Sequence, residues 1–189
     1  MSNVRNSRTH LRALTEAAIF VAIAVVLNVF RFRILPQGGS INLVLIPLVI
    51  LSIRWGVGAG LMSGFVFGVI KAIMGSAFAW GWQSLLLDYF VAYTIIGLAG
   101  FFRHRANRAV MACVVAGLAQ YFVFWLAGVL IWGEWMPEEF LNMPMTNPGI
   151  YSLIYNGTYM IPNILISAVA IGLLAKPLGR YFRGEDLVS

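Results

Sequence analysis

Long runs of apolar residues, separated by short polar or basic segments, dominate the hydropathy pattern of this chain. A helix needs about 20 mainly apolar residues to cross the hydrocarbon core of a bilayer. The pattern predicts six membrane-spanning helices, at about residues 13–31, 42–54, 57–75, 83–102, 109–132 and 150–175. The second is short for a span, so we expect it to be tilted, partly re-entrant or extended by the preceding loop. No ten-residue alternation typical of membrane strands competes with this interpretation.

The composition agrees with a membrane location. Of the 189 residues, 60% are apolar and 11% are charged, and the mean hydropathy is +0.84. A soluble domain carries about 25% charged residues. We therefore expect an all-α integral membrane protein in which residues 1–189 form a single transmembrane domain.

The basic residues predict the orientation, because cytoplasmic loops of membrane proteins are enriched in lysine and arginine. The predicted inner group is Arg5, Arg8, Arg12, Arg54, Arg103, Arg105, Arg108, Lys176, Arg180 and Arg183, and the predicted outer group is Arg31, Arg33 and Lys71. Both termini are therefore predicted to be cytoplasmic. These short basic groups favour contact with membrane lipid headgroups, and they argue against nucleic-acid binding despite the net charge of +6.

Enzyme chemistry finds little support in the sequence. His10 and His104 both lie near the predicted cytoplasmic edge, and Cys113 is the only cysteine. No group of His, Cys and carboxylate residues has the spacing of a metal site, and no serine lies in a nucleophile motif. We expect neither catalysis nor a metal or cofactor.

Two predicted external loops have the composition of structured segments. The first, 35–40, combines a proline with two glycines, which favours a tight turn that brings backbone amides such as those of Gln37 and Gly38 near a ligand. The other, 133–149, carries three prolines, three glutamates and a tryptophan. Its length and composition predict a structured lid rather than a simple connector.

Asp88 is the one acidic residue deep inside the predicted spans, and Tyr89 follows it. A carboxylate in a membrane span is costly unless it faces a cavity or a partner, so a functional site is the first hypothesis. Two structural alternatives remain open at this point. Asp88 could form an ion pair with Lys71, or its side chain could reach the outer membrane interface.

Aromatic and amide side chains lie at the same predicted membrane level. Tyr121, Trp125, Gly128 and Trp132 share one helical stripe of the fifth span. An aromatic stripe in a membrane helix is more often core or lipid-facing than a ligand wall, but Gly128 would leave room for a flat ring. Tyr151 begins the sixth span. Asn156 follows one turn later, where it could join two helices or contact the edge of a heterocycle.

Small residues recur at intervals of four on two predicted helices. Gly56, Gly60, Gly64 and Gly68 are typical of a face that another helix approaches closely, and packing within the chain is the simpler interpretation. Ala18 and Ala22 form a second small face, with Ala24 offset from it. Here too, internal packing and docking of another membrane protein are the two alternatives.

Several motifs resemble one known family. They are Pro36-Gln-Gly-Gly-Ser40, Ile46-Pro47, Ser52-Ile-Arg-Trp-Gly56, Ala59-Gly60, Leu86-Leu-Asp-Tyr89 and Ile150-Tyr-Ser-Leu-Ile-Tyr-Asn-Gly-Thr-Tyr-Met-Ile-Pro162. In this order they are similar to the thiamin-specific substrate-binding subunits (ThiT/YuaJ family) of bacterial energy-coupling factor (ECF) transporters. The resemblance extends over residues 12–175.

The resemblance implies a multi-pass subunit of the bacterial plasma membrane that captures thiamin from outside. It implies a transmembrane coupling protein and two ATPase subunits as partners. Carried over by position, the substrate-binding residues are Asp88, Tyr89, Trp132, Tyr151 and Asn156, with Phe124 and Gly128 on the fifth span and the first loop opposite them. Ala18 and Ala22 match the small-residue motif through which the family docks on the coupling protein.

The chain departs from the family pattern at two positions. Phe124 stands where we expect histidine, and Gln120 replaces a basic residue. The first departure keeps open a second hypothesis, in which the ligand is a thiamin precursor, either a hydroxymethylpyrimidine or a thiazole. A third hypothesis is a stand-alone cation-coupled carrier with Asp88 as a proton site, but the inverted repeats expected there are not evident in the sequence.

Overall fold

The computed structural model describes residues 2–33, 35, 39–74 and 81–187, and it is mainly helical. In chain order the longer helices are α1 (Ser2–Val29), α2 (Leu45–Trp55), α3 (Val57–Ile73), α4 (Trp82–Phe102), α5 (Ala109–Leu130) and α6 (Pro148–Ala175), and the short α7 (Gly179–Arg183) follows them. Helix α4 mixes helical geometries: a π-helical stretch, Leu85–Val91, precedes a 3₁₀ stretch, Ile95–Phe102.

Two short hairpins add strands to the predicted all-α fold. β1 (Phe32–Arg33) pairs antiparallel with β2 (Ser40–Ile41), and β3 (Glu139–Phe140) pairs antiparallel with β4 (Met143–Pro144). The strands of the first hairpin flank the predicted loop 35–40, and the second hairpin lies within the predicted loop 133–149. The second therefore confirms that the segment after α5 is more than a connector.

The predicted spans agree with the observed helices to within a few residues, apart from α1, which begins earlier. In the described part of the chain, four helical segments are long and apolar enough to cross a membrane: Thr9–Val29, Trp82–Phe102, Ala106–Leu130 and Pro148–Ala175. Helices α2 and α3 are apolar but have 11 and 17 residues. A helical membrane protein is confirmed, while six complete crossings and cytoplasmic termini stay predictions.

Helix α2 lies at the centre of the bundle. Leu48, Val49, Leu51 and Ile53 are at most 1% exposed, although they point in different directions around the helix. A helix that is apolar all round is a buried one. Its central position explains how so short a helix is accommodated.

Glycines allow α3 and α4 to pack at backbone contact. A Cβ atom at Gly60 would stand 2.9 Å from the Cα of Gly97, and one at Gly68 would stand 3.2 Å from the carbonyl carbon of Tyr89. The spacing of Gly60, Gly64 and Gly68 is thus explained by packing within the chain. Gly56 has a different role, because its φ of 88° forms the turn between α2 and α3.

The small face of α1 points outward. Ala18 and Ala22 are exposed, whereas Ala24 is fully buried. Internal packing is therefore the wrong explanation for Ala18 and Ala22 and the right one for Ala24. Docking of a partner on this face stays a prediction.

A network of charged groups ties the C-terminal segment to α1 and α2. The fully buried guanidinium of Arg54 donates to Glu16 at 2.5 and 3.0 Å and to Asp186 at 2.8 Å. The Tyr181 hydroxyl also donates to Glu16, at 2.8 Å. Hydrogen bonds from Arg54 hold the pKa of the Asp186 carboxyl below its ordinary value. This network lies at the opposite end of α2 from the cavity described next.

Candidate functional site

A cavity of about 660 Å³ opens among the helices, and its walls come from the β1–β2 loop and from α2 to α6. This volume lies within the range of small-molecule sites. The predicted site residues that line it are Asp88, Tyr89, Phe124, Gly128, Trp132, Tyr151 and Asn156. Gln37 and Gly38 lie outside the described residues, and their neighbours Gly39 and Ser40 line the cavity. The structure thus brings residues from three separate helices and their loops to one place.

Asp88 is held by two donors. Its Oδ2 atom accepts a hydrogen bond of 2.8 Å from the hydroxyl of Ser84 and one of 3.1 Å from the indole nitrogen of Trp132. Ser84 lies one turn earlier on α4, and Trp132 follows α5. Within the described residues, Oδ1 has no hydrogen-bond partner, and no ion pair within 4.0 Å joins Asp88 to Lys71. The carboxylate is therefore oriented by neutral groups, and a direct ion pair with Lys71 is not its structural role.

Aromatic rings form much of the cavity wall. Trp132 and Trp135 meet edge to face at 6.2 Å in the 3₁₀ turn after α5. Tyr151 and Tyr155, one turn apart on α6, lie 5.5 Å from each other. Phe140 of the β3–β4 hairpin packs against both tyrosines at 5.6 Å. The hairpin is therefore fixed to the aromatic wall.

Asn156 joins the two helices that frame the cavity. Its amide nitrogen donates to the carbonyl of Ser152 at 2.9 Å on the same helix and to that of Phe124 at 3.4 Å on α5. The hydroxyl of Tyr159 donates to its amide oxygen. Asn156 therefore joins α5 to α6, which was one of its two predicted roles. The other role, contact with a ligand, stays a prediction.

Gly128 lines the cavity and also sets the distance between α5 and α6. A Cβ atom there would collide with the side chain of Ser152, whose Cβ would lie 2.8 Å away. The hydroxyl of Ser152 donates to the carbonyl of Trp125 at 2.8 Å across the same contact. The sequence interpretation, space for a flat ring, omitted this packing role.

Phe124 and Gln120, the two departures noted in the sequence, lie one turn apart on the cavity side of α5. The ring of Phe124 meets Tyr93 at 6.3 Å and Tyr159 at 6.1 Å, both edge to face. Gln120 is 6% exposed and lines the cavity one turn away. Phe124 is thus an apolar wall residue, packed between two buried tyrosines.

The aromatic stripe of the fifth span coincides with the cavity wall only at Gly128 and Trp132. The Tyr121 hydroxyl donates to the carbonyl of Leu153 at 2.6 Å, and the Trp125 indole donates to that of Gly149 at 3.0 Å. Both side chains hold α6 rather than line the cavity. The cavity stripe runs instead through Gln120, Phe124 and Gly128.

Sequence reasoning assigned no site role to several polar lining residues. Lys71 lines the cavity, and its amine donates to the hydroxyl of Tyr93. Asn163 accepts from the backbone of Asn42 at 2.8 Å and donates to the carbonyl of Ser40 at 3.0 Å, which fixes β2 to α6. A lysine and an asparagine inside apolar spans are themselves signals of a site, because such groups are costly in a bilayer.

The fold and the cavity define the class of protein, a multi-pass membrane protein with a small-molecule site among its helices. The profile of the family described as "Thiamine transporter protein (Thia_YuaJ)" matches residues 14–183. The chain belongs to this family. It is therefore a membrane transporter rather than an enzyme, and its place is the membrane of a bacterium.

Individual relatives agree with this assignment. The thiamine transporter ThiT of Bacillus subtilis (strain 168) is 34% identical over 195 residues, which cover 95% of this chain and 98% of the relative. ThiT of Lacticaseibacillus paracasei (strain ATCC 334) is 27% identical, over 93% of this chain and 92% of the relative. The solved structure of ThiT from Listeria monocytogenes superimposes with a TM-score of 0.81 at 26% identity, over 92% of this chain and 98% of that chain.

Proposed function

We propose that this chain captures thiamin in the cavity and delivers it by docking on an ATP-driven coupling module of the ECF type. The observation that carries the proposal is Asp88, a carboxylate oriented by Ser84 and Trp132 inside an aromatic cavity. Thiamin combines a cationic thiazolium ring with an aminopyrimidine. A carboxylate both attracts the cation and accepts from the exocyclic amine, and such charge-assisted hydrogen bonds are the strong ones.

The aromatic walls supply the second part of the recognition. Trp132, Tyr89 and Tyr151 line the cavity around Asp88 and offer ring faces to two flat heterocycles. Cation–π contacts are worth about 0.5–2 kcal/mol each, depending on desolvation. Because Trp132 also donates to Asp88, its ring orientation is set before a ligand enters. Preorganisation of this kind lowers the entropic cost of binding.

The amide network orients the ligand. Ser152 and Asn156 are buried at 1% and 6% exposure, and their polar atoms meet at the contact of α5 with α6. Polar groups placed precisely in an apolar pocket give orientation and specificity. We assign to Asn156 and Tyr151 the recognition of the polar ring edges.

The size of the cavity favours the complete vitamin over a precursor. About 660 Å³ lies in the middle of the range of drug-sized sites, whereas one small ring would leave much of the space unfilled. The apolar face of Phe124 removes a hydrogen-bonding group but keeps an edge for ring packing. The precursor hypothesis therefore requires that the pyrimidine or the thiazole half of thiamin binds as tightly as thiamin itself.

Delivery requires a surface for the partner. Ala18 and Ala22 face outward on α1, where small side chains allow another helix to approach closely. We propose this face as the docking site for the transmembrane coupling protein, with two ATPase subunits supplying the energy. The network of Arg54 with Glu16 holds α1 against α2 two residues from Ala18.

The binding proposal is tested by titrating the detergent-purified protein with thiamin while following tryptophan fluorescence. Separate titrations use the pyrimidine and thiazole halves. We expect saturable quenching by thiamin at concentrations far below those needed for either half. Asp88→Asn keeps the shape but removes the charge and should weaken binding by about a hundredfold, the loss of a buried charged contact of about 3 kcal/mol. Glu139→Gln, an exposed carboxylate on the hairpin, is the matched control.

Saturation by one half alone would instead support a precursor transporter. If Asp88→Asn bound thiamin as tightly as the parent protein, Asp88 would not be a ligand-binding residue. For docking, Ala22→Trp should abolish co-purification with the ATPase subunits while thiamin binding persists. Leu165→Trp on the exposed face of α6 should leave co-purification intact.

A further inference from the structure

The first half of α1 has little apolar contact with the rest of the bundle. None of residues 9–20 is buried, whereas Val21, Ala24 and Asn28 in the second half are. In the most apolar stretch of this helix 17% of the residues are buried, against 28% or 39% in the other three long apolar segments. Apolar packing therefore contributes less to the position of this half of α1 than to that of the other long helices.

The C-terminal segment holds this half of α1 on three successive turns. The Arg12 guanidinium donates to the backbone carbonyl of Asp186 at 2.9 Å and also to its carboxylate. Glu16 accepts from the Tyr181 hydroxyl at 2.8 Å, and the ring of Phe20 lies 6.3 Å from that of Tyr181. The chain after α6 therefore lies along one side of α1.

The C-terminal segment is itself fixed to the bundle without the help of α1. Phe182 on α7 is fully buried. Gly184 has a φ of 65° and lies so close to the loop after α4 that a Cβ atom there would stand 2.9 Å from the ring of His104. The buried Arg54 at the end of α2 donates to the carboxylate of Asp186 at 2.8 Å. The segment can therefore act as a support for α1.

The supported side of α1 lies nearly opposite its small face. With about 100° of rotation per residue, Ala18 and Ala22 point about 140° away from the mean direction of Arg12, Glu16 and Phe20. Both alanines are exposed. A helix that packed on the small face would press α1 against the C-terminal segment, which lies behind it.

We propose that Asp186 is a positioning residue for partner docking. Through Arg12 and Arg54 it holds α1 so that the small face meets a helix of the coupling protein. A largely buried ionic network adds little net stability, because desolvation offsets the attraction, and its best-attested use is to fix how segments meet. Docking is tighter when the binding-competent position is already populated. This inference rests on the proposed function, since it assumes that the small face of α1 is the docking site.

The test measures docking of the whole purified protein, held in lipid nanodiscs, on the purified coupling complex, which is the coupling protein with its two ATPase subunits. The variant is Asp186→Asn, and Glu185→Gln is the matched control. Glu185 lies on the same turn, and its side chain is 43% exposed against 42% for Asp186. Within the described residues, its ion pairs are with Arg180 and Arg183 of its own segment.

Asp186→Asn should weaken docking by about tenfold, the change expected if α1 then occupies its docking position in about one molecule in ten. Glu185→Gln should dock like the parent protein. Asp186→Glu keeps the charge and should recover most of the loss. Thiamin affinity should be unchanged in all three variants, because the network lies at the opposite end of α2 from the cavity.

Spin-label distances show whether the loss acts through α1. Labels at Leu14→Cys on α1 and Val110→Cys on α5 report the separation of these helices, since both positions are exposed and the native Cys113 is fully buried. The distance distribution should broaden in Asp186→Asn and should stay as in the parent protein in Glu185→Gln.

Three results would overturn the inference. Equal docking of Asp186→Asn and Glu185→Gln would remove the role of Asp186. A parallel loss of thiamin binding would show a general loss of folding instead. Weaker docking with an unchanged distance distribution would mean that Asp186 contacts the partner directly. If the parent protein does not bind the coupling complex, the docking proposal fails and this inference fails with it, whereas the thiamin titration still decides whether the chain captures the vitamin.

Discussion

Replacing Gly64 by alanine tests whether the contact between α3 and α4 is as tight as the structure indicates. A Cβ atom at Gly64 would stand 2.9 Å from the carbonyl carbon of Tyr93 and 3.0 Å from the Cα of Thr94, where ordinary contacts begin at 3.4 Å. These neighbours are backbone atoms, so no side-chain rotation can relieve the clash. The two helices must move apart by several tenths of an ångström.

The magnitude follows from two opposing terms. Overpacking a tight contact costs about 1–3 kcal/mol. Alanine in place of glycine within a helix recovers about 0.5–1 kcal/mol. Gly58 on the same helix provides the control, because a Cβ atom there meets nothing within 4 Å. The free energy of unfolding of Gly64→Ala should therefore lie about 1–3 kcal/mol below that of Gly58→Ala.

Thermal denaturation in detergent measures this difference, at about 2–4 °C for each kcal/mol in a chain of this size. Thiamin titration gives a second readout, since α4 carries Asp88 and its separation from α3 changes the 3.1 Å contact with Trp132. We expect Gly64→Ala to lose affinity and Gly58→Ala to keep it. Equal melting temperatures and equal affinities in the two variants would refute the reasoning.

Three further perturbations have defined outcomes. Gly128→Ala should lower both the melting temperature and the thiamin affinity, because the new methyl group collides with Ser152 between α5 and α6; parent-like values in both assays would contradict this. Arg54→Met should lower the free energy of unfolding by about 1–3 kcal/mol, because the hydrogen bonds of the buried guanidinium are lost while Arg12 still pairs with Glu16 and Asp186; an unchanged melting temperature in thermal denaturation would argue against the network. The pKa of Asp186 is lowered by hydrogen bonds from Arg54, so its stabilising effect is complete above its ordinary pKa of about 3.9 and is lost as the pH falls through the lower folded-state pKa. Melting temperatures between pH 7 and pH 3 should therefore fall less in Asp186→Asn than in the parent protein.

The sequence predicted the helices well because a bilayer imposes a simple rule. A buried helix must be apolar over most of its length, so the hydropathy pattern located α1 to α6 to within a few residues, apart from the start of α1. The hairpins were not predicted, because strands of two residues are too short to show the alternation of apolar and polar residues that indicates a strand. The choice between internal packing and docking was open as well, since spacing alone does not say which face of a helix points inward.

The candidate site was predictable in part for the same reason. A lone carboxylate in apolar sequence is conspicuous, and Asp88 does line the cavity with Trp132, Tyr151 and Asn156. On α5 the predicted residues Phe124 and Gly128 line the cavity, whereas Tyr121 and Trp125 on the neighbouring face donate hydrogen bonds to α6. Helix rotation is decided by such contacts between helices.

The sequence by itself determined the class of protein and the approximate positions of the helices. It also identified the charged and polar residues within apolar spans, whose cost in lipid indicates a functional or structural role. Only the tertiary structure decided which of these residues meet. It placed Lys71 and Asp88 on one cavity without a direct ion pair, turned Ala18 and Ala22 outward, and used Gly64 to bring α3 against α4. The physical reason is that the transfer of a residue into lipid depends on its own chemistry, whereas its partners depend on how helices distant in sequence pack.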